Sequence, residues 1–382
     1  YFTPNRKKIL SDLIPLLENA QTVDIGMYLL TDRDLMDTLA RAATNATIRI
    51  VLDAGAIAGR GLGDMQMLWD VGVQIVTFHK DRASMHLKAV VIDERHVWTG
   101  SANWTPTALG GNYEDVLWID SPSLARLYAE KLHDVAAESR SFESKALVLG
   151  DTSAVRSDPD FCTNLPTTGP RTNYTALGRV PFPAFEATGR VAYLPDGELQ
   201  PALRRLIQTA RQSILIGMYV FSEQKSAEPF TDEIIQDLED AVRRGVYVYL
   251  LLYTPGSSAD RLDEHHSNRA ERLRRAGIDV RLALPSVPLH MKTVVVDLSK
   301  VIVGSHNWSE GALSGKRVYE SSALIVLDGQ ESRLADFLLS RRTVSDMRSR
   351  DLWRQEINAL RHLAQASGSA RTDLLEQLEG EE

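Results

Sequence analysis

The same sequence motif occurs twice in this chain, and this duplication constrains the fold more than any other feature. One copy covers residues 86–103 and the other covers residues 290–307, and both have the form H-x-K-x4-D-x6-G-S-x-N. A shorter signature, Gly-Met-Tyr, precedes each copy and ends at Tyr28 and at Tyr219. Because the two signatures recur in the same order, the chain is predicted to fold as two related units.

Apolar strand patterns alternate with helical patterns around each motif. The helical patterns cover about 32–44 and 231–244, the strand patterns 48–52 and 246–252, and a further helix and strand follow in 64–78 and 259–284. This alternation favours an α/β fold with crossover connections. We predict a first repeat over 1–137, a linker rich in Thr, Pro, Ser and Gly over 138–190, a second repeat over 191–340 and a helical tail over 341–382.

Each motif brings together groups that bind and attack an anion. His86 and Lys88 are two residues apart on a strand pattern, so they are expected to project from the same face, as are His290 and Lys292. Hydrogen-bond donors follow in both copies, and we predict that they bind phosphate: Ser101, Asn103, Ser305 and Asn307. Two imidazoles suit phosphodiester chemistry, since one can attack phosphorus while the other protonates the leaving oxygen.

The remaining fixed positions of the motif are interpreted as structural. Asp93 and Asp297 each stand where an apolar strand ends in a turn, where aspartate commonly binds the turn backbone. Gly100 and Gly304 permit a close approach of the backbone. Thr105 and Ser309 are predicted to cap short helices whose N-termini add positive potential to a phosphate pocket.

The duplicated motif resembles the HKD motif of the phospholipase D superfamily, and most of the chain outside the linker and the tail resembles two repeats of that family. The resemblance implies two α/β/α sandwich repeats related by a pseudo-two-fold axis, with one active site between the lobes. It also implies metal-independent phosphodiester hydrolysis or transphosphatidylation through a phosphohistidine, with His86, Lys88, His290 and Lys292 as the catalytic residues. We predict that His86 is the nucleophile.

Members of the family also carry a carboxylate that orients each catalytic histidine. Glu114, which follows His86, and Glu320, which follows His290, are the positions that fit. A buried acceptor on the far ring nitrogen would fix the tautomer of the imidazole, so this assignment also makes physical sense.

Three functions remain open at this stage. They are a phospholipase D-type enzyme acting on phospholipid at a membrane surface, a nuclease acting on DNA or RNA, and an inactive binding module. Both motifs are complete, which disfavours the third. The chain has 43 Lys and Arg residues against 51 Asp and Glu residues, a formal net charge of −8, and this balance favours phospholipid over a polyanion. Water or an alcohol would accept the phosphoryl group.

Other residues give weaker predictions. Trp104 and Trp308 are expected to pack in the core, His266 is expected on a solvated helix face, and the role of His306 is left open. The single cysteine excludes an intramolecular disulfide and a Cys-rich metal site, and we expect no metal and no cofactor. We expect a monomer, since two repeats in one chain form an intramolecular pseudo-dimer. The first residue is Tyr1, which leaves processing and export possible, and the sequence contains no apolar run long enough to span a membrane.

Overall fold

The computed structural model describes residues 1, 3–58, 62–79, 83–142, 186–222, 229–253, 261–283, 288–329 and 332–340. The predicted helical tail over 341–382 and most of the predicted linker lie outside the described residues.

The first repeat follows the predicted alternation of helices and strands. Its helices are α1 (Arg6–Glu18), α2 (Arg33–Ala42), α3 (Ala54–Ile57), α4 (Leu62–Asp70), α5 (Pro106–Gly110) and α6 (Pro122–Ala137). Its strands are β1 (Thr22–Met27), β2 (Thr47–Asp53), β3 (Gln74–Phe78), β4 (Ser84–Met85), β5 (Lys88–Ile92), β6 (His96–Gly100), β7 (Val116–Asp120) and β8 (Arg140–Ser141).

The second repeat has the same order of principal elements. Its strands are β9 (Gly189–Pro195), β10 (Ser213–Met218), β11 (Tyr247–Leu252), β12 (Asp279–Leu282), β13 (Lys292–Val296), β14 (Lys300–Gly304), β15 (Val318–Tyr319) and β16 (Ser321–Leu327). Its helices are α7 (Leu199–Thr209), α8 (Phe230–Arg243), α9 (Arg261–Arg275), α10 (Glu310–Leu313) and α11 (Arg333–Ser340), and a 3₁₀ turn at Asp196–Glu198 precedes α7.

Each repeat is built on a seven-stranded mixed sheet. The strand order is β7-β6-β5-β1-β2-β3-β8 in the first sheet and β9-β16-β14-β13-β10-β11-β12 in the second. Strands β1, β2 and β3 are parallel to one another, and β5 joins β1 antiparallel; β10, β11, β12 and β13 repeat this pattern. Six strands therefore correspond one to one. The seventh strand lies at opposite edges of the two sheets: β8 is added beside β3 in the first, and β9 is added beside β16 in the second.

Hydrophobic clusters cover both faces of each sheet, which confirms the α/β/α sandwich. In the first repeat, α1 and α2 bury Leu13 and Leu39 on one face, while α6 buries Leu132 on the other. In the second repeat, α11 occupies the place of α6, and a Cβ added to Gly217 on β10 would lie 2.7 Å from Leu338 of α11. Glycine at this position lets the helix pack closely on the sheet.

The edge strands refine the predicted linker. Strand β8 (Arg140–Ser141) pairs with β3 of the first sheet, and β9 starts at Gly189 and pairs with β16 of the second. Both ends of the segment predicted as a linker are therefore sheet edges, and the domain boundaries at 137 and 191 stay a prediction.

Candidate active site between the repeats

The two motifs form matching strand hairpins at the centres of the two sheets. Each hairpin turn carries a motif aspartate with a positive φ, 52° at Asp93 and 47° at Asp297. The Asp93 carboxylate accepts hydrogen bonds from the backbone N–H groups of Gln21 and Thr22, at 2.7 and 2.9 Å. Asp297 binds the backbone before β10 in the same way. Both contacts are structural. Each aspartate binds backbone N–H groups at or just before the start of the neighbouring strand, β1 or β10, whereas the sequence predicted contacts within its own turn.

The catalytic candidates of each motif lie immediately before and at the start of the first hairpin strand. His86 is 7 % exposed and Lys88 is fully buried, while His290 and Lys292 are 5 % and 3 % exposed. Each ammonium group donates to the carbonyl of the histidine two residues earlier, at 2.8 Å from Lys88 Nζ and 2.7 Å from Lys292 Nζ. Each lysine thus fixes the backbone that carries its histidine.

The two histidines are paired with glutamates of the opposite repeats. His86 Nδ1 lies 2.9 Å from Oε1 and 3.0 Å from Oε2 of Glu320, and His290 Nδ1 lies 2.9 Å from Oε2 of Glu114. Both glutamates are buried, at 1 % and 0 % exposure. The structure brings together the residues named from the sequence, but it exchanges the partners between the repeats.

Backbone pairing between the repeats holds this exchange in place. Strand β4, which leads into His86, pairs in parallel with β15, which leads into Glu320. The backbone N–H of His86 donates to Tyr319, and that of His290 donates to Tyr113, at 2.9 and 2.8 Å. Each histidine is therefore anchored through its backbone to the residue before its glutamate partner.

The serine and asparagine positions lie beside these pairs. The Ser101 hydroxyl donates to Glu114 at 2.6 Å, and the Ser305 hydroxyl donates to the Ser321 carbonyl at 3.2 Å. Asn103 accepts from the backbone N–H of Leu29, and Asn307 is 7 % exposed. The Ser101 hydroxyl is thus engaged with the glutamate, and the phosphate contacts of the four residues stay a prediction.

Glycine and helix caps complete the loop after each motif. Gly100 has a φ of +151°, and its Cα faces the backbone carbonyl of Asp115 so closely that a side chain would collide with it. Helix α5 begins with the Thr105 side chain accepting from Ala108 N–H at 3.1 Å, and α10 begins with Ser309 accepting from Ala312 N–H at 3.4 Å. Both predicted caps are confirmed.

Sequence reasoning missed two tyrosines that border the site. The Tyr28 ring centroid lies 5.1 Å from that of His86 and 5.2 Å from Lys88 Nζ. Tyr219 lies 4.6 Å from the His290 ring and 4.9 Å from Lys292 Nζ. The duplicated Gly-Met-Tyr triplet was the available signal, because its tyrosine follows the central strand of each sheet directly.

Four further side chains are now placed. Trp104 and Trp308 are buried in the hydrophobic cores, as predicted. His266 is also buried, so the predicted solvated face is wrong there: its ring donates to the Tyr253 carbonyl and accepts from Phe221 N–H. His306 is 1 % exposed and bridges the Ser322 hydroxyl and the Asp196 carbonyl, both at 2.8 Å.

The sequence matches the family model described as cardiolipin synthase, PLD-like domain, over residues 13–135 and 203–335. The chain belongs to the phospholipase D superfamily. The two matched segments fall one in each repeat of this phospholipase D-like protein, and each contains one complete copy of the motif.

Curated relatives match over a shorter length. A mitochondrial cardiolipin hydrolase of Homo sapiens is 33 % identical over 88 residues, which cover 23 % of this chain and 34 % of that protein. One of Chlamydomonas reinhardtii is 29 % identical over 112 residues, covering 29 % and 49 %. The chain thus matches between a third and a half of the length of these relatives.

A solved structure shares the fold over nearly the whole chain. The phosphatidylserine synthase of Haemophilus influenzae Rd KW20 superposes with a TM-score of 0.60 at 16 % identity, covering 94 % of this chain and 86 % of that one. Two lobes of mixed α/β structure are therefore the architecture of this phospholipase D-like chain. Among the described residues, no helix combines the length and the apolar character that crossing a membrane requires.

The electrostatics of the two histidine–glutamate pairs differ. Burial lowers the pKa of His86 well below its ordinary value, and the charges of Lys88, Lys292 and His290 lower it further. Burial raises the pKa of Glu320 to about 8. The first pair is therefore a net neutral, hydrogen-bonded pair near neutral pH.

The second pair holds a charged carboxylate. Burial opposes ionisation of Glu114, but His290, Lys292 and the Ser101 hydroxyl together lower its pKa below the ordinary value. An ionised Glu114 favours a protonated imidazole on His290. No cluster of three or more His, Cys, Asp or Glu side chains that could hold a metal ion occurs in the described part of the chain.

Proposed function

We propose that this chain is a phosphodiesterase of the phospholipase D type that hydrolyses or exchanges phospholipid head groups through a covalent phosphohistidine. The exchanged histidine–glutamate pairs carry this proposal. Because Nδ1 of each imidazole is bonded to a glutamate, Nε2 is the reacting nitrogen of each in the proposed reaction, which uses the two imidazoles as nucleophile and as acid and base.

His86 is proposed as the nucleophile. Its low proton affinity supplies a neutral imidazole, which can attack phosphorus. In the first step, His86 Nε2 forms a bond to phosphorus, and the bond from phosphorus to the leaving oxygen breaks. His290 donates its Nε2 proton to that oxygen, a role that suits an imidazolium held by the Glu114 carboxylate.

The second step regenerates the enzyme. Neutral His290 takes a proton from water or from an alcohol, whose oxygen attacks phosphorus while the bond to His86 breaks. Lys88 and Lys292 are proposed to neutralise the phosphoryl oxygens, since an ammonium group has three N–H donors and the contact with the histidine carbonyl uses one. Ser101, Asn103, Ser305 and Asn307 are proposed to line the phosphate position.

Phospholipid is the proposed substrate class, and a membrane surface is the proposed partner. Two observations support lipid over nucleic acid. The matching family model is described as cardiolipin synthase, and the curated relatives are named for cardiolipin hydrolysis. The net charge of −8 opposes broad binding of a polyanion. We propose a monomer, because both histidine–glutamate pairs form within one chain.

A side-by-side assay tests the substrate class. Purified protein receives phosphatidylcholine or cardiolipin vesicles with a primary alcohol, and in parallel labelled single-stranded and double-stranded nucleic acid, all in EDTA. We expect head-group release and an alcohol-exchange product. Cleavage of nucleic acid alone would identify a nuclease, and no cleavage of either substrate would identify a binding module.

Rapid-quench single turnovers test the covalent step. We expect a phosphorylated peptide containing His86. With a phosphodiester whose leaving group needs no protonation, this peptide should accumulate to a higher level in a His290→Gln variant, which removes the group that activates water. Phosphorylation mapped to His290 in the unsubstituted protein would reverse the two proposed roles.

A further inference from the structure

The backbones of the two glutamates are held by different groups at equivalent places. Glu114 N–H donates to the Thr3 hydroxyl at 2.8 Å, and Glu320 N–H donates to Asp196 Oδ1 at 2.9 Å. In return, the backbone N–H groups of Thr3 and Asp196 each donate to the glutamate carbonyl, both at 3.1 Å. A neutral hydroxyl in the first repeat is therefore replaced by a carboxylate in the second.

Asp196 is fixed from several sides. Its Oδ2 forms an ion pair with Lys131 of α6, a helix of the first repeat, and the two side chains are 22 % and 14 % exposed. Lys131 Nζ also lies 4.3 Å from the ring centroid of Tyr319, the residue before Glu320. The Asp196 carbonyl accepts from His306, and its φ of +44° is unusual for a residue other than glycine.

The side chains of the glutamates also have different donors. Glu114 accepts from Ser101 and from the Asn112 amide, which lies 3.1 Å from Oε1. The residue at the place of Asn112 in the second repeat is Val318, which has no side-chain donor. Glu320 thus lacks this amide contact and has a second carboxylate beside its backbone.

We propose that Asp196 and Lys131 together set the proton affinity of the His86–Glu320 pair, so that this pair keeps its proton near neutral pH. The two imidazoles of the site are thereby made inequivalent. Asp196 acts as a positioning residue, because it touches Glu320 and not the reacting atoms. Burial raises the proton affinity of Glu320 most, the negative charge of Asp196 raises it further, and the ion pair with Lys131 moderates the effect of Asp196. A more basic pair is a stronger nucleophile once it has lost its proton.

Other charged and titratable groups surround the Glu320 and Asp196 carboxylates and contribute to the electrostatic potential there. The groups that act on Glu320 are His86, Lys88, Lys292, Ser305 and Asp196. The groups that act on or near Asp196 are Lys131, His306, Tyr319, Tyr193, Asp134 and Glu138. Asp134 is an exposed carboxylate on the same helix as Lys131, which makes it a suitable control position.

Two substitutions that should displace the pH profile in opposite directions test the proposal. The kcat/KM measurement rests on the proposed function. Asp196→Asn keeps an oxygen for Glu320 N–H and removes the charge, so the acid limb of the kcat/KM profile should move to lower pH by about half a unit or more. Lys131→Met leaves Asp196 uncompensated, so the same limb should move to higher pH. Asp134→Asn should leave the limb in place, since an exposed charge is screened.

A readout without turnover separates this inference from the proposed function. The ¹⁵N shifts of the His86 ring follow the protonation of the pair even in a protein that cleaves nothing. We expect the same opposite displacements in this titration. A loss of activity or stability in both variants with an unmoved titration would show a purely structural role for Asp196, and would leave the proposed function intact.

Discussion

His86 Nδ1 lies 2.9 Å from Glu320, which is 234 positions further along the chain and belongs to the other repeat. The equivalent contact joins His290 to Glu114, 176 positions apart. A histidine therefore has its motif lysine in its own repeat and its carboxylate in the opposite one. Neither repeat alone contains a complete pair, so correct docking of the two repeats is a condition for the chemistry.

The first prediction concerns the two histidines. His86→Ala and His290→Ala should each lower turnover by at least about 10³-fold, because one removes the nucleophile and the other removes the acid and base. Initial rates on the substrate identified by the side-by-side assay provide the measurement, and circular dichroism confirms that the fold is retained. His133→Ala is the matched control, since its side chain is 54 % exposed on α6 and should leave turnover unchanged. Near-normal turnover in either site variant would contradict the two-histidine mechanism.

The second prediction concerns the exchanged partners. In double-mutant cycles on the free energy of unfolding, His86→Ala and Glu320→Gln should be coupled by about 1 kcal/mol or more, because these side chains are in direct contact. His86→Ala and Glu114→Gln should be nearly additive by comparison. The complementary cycle on His290 should couple to Glu114. Coupling of each histidine to the glutamate of its own repeat would refute the observed pairing.

Much of the fold and of the site could be predicted because the same motifs occur twice in the sequence. The duplicated H-x-K motif and the Gly-Met-Tyr triplet predicted two repeats of alternating helices and strands, and β5 and β13 carry the lysines at their first positions. Thr105 and Ser309 were recognised as caps because capping depends on local sequence. Glu114 and Glu320 were identified through the resemblance to the family, at the places after each motif that fit its carboxylates.

The partner exchange could not be predicted from spacing. Sequence position reports which residues lie in one repeat, whereas the pairing of His86 with Glu320 depends on how β4 packs beside β15. The environments of His266 and His306 could not be predicted either, because their hydrogen bonds to the carbonyls of Tyr253 and Asp196 join different elements of the fold. Such contacts follow from tertiary packing, which a local pattern does not encode.

The third prediction concerns pH. Because burial raises the pKa of Glu320 to about 8, the His86–Glu320 pair should lose a proton as the pH rises past that value. Only then does the neutral imidazole face an ionised carboxylate, which accepts from Nδ1 and leaves Nε2 free to attack. The acid limb of the kcat/KM profile should therefore lie near pH 8. The profile should be bell-shaped, because the first pair attacks in its deprotonated form while the leaving oxygen needs a proton donor. Glu320→Gln should displace the acid limb. A profile that is flat across the neutral range would contradict this protonation scheme.

The fourth prediction concerns stability and isolates His306. Burial lowers the pKa of this imidazole to about 4, below the ordinary value of 6.5 that applies to the unfolded chain. Below pH 6.5 the unfolded chain binds a proton that the folded protein does not bind, so stability from this group is complete above pH 6.5 and is lost as the pH falls towards 4. The loss amounts to about 3 kcal/mol over that range.

Urea unfolding at a series of pH values measures this contribution. The first repeat has Ala102 at the place of His306, so His306→Ala is the natural substitution. This variant should be less stable at neutral pH, because the bonds to Ser322 and Asp196 are gone, but its stability should fall less steeply between pH 6.5 and 4. The slope in the unsubstituted protein also contains His86, which titrates in the same direction, so the difference between the two curves is the quantity that decides. Identical slopes would show that His306 takes up its proton equally in the folded and unfolded states, which would contradict the lowered pKa of this buried imidazole.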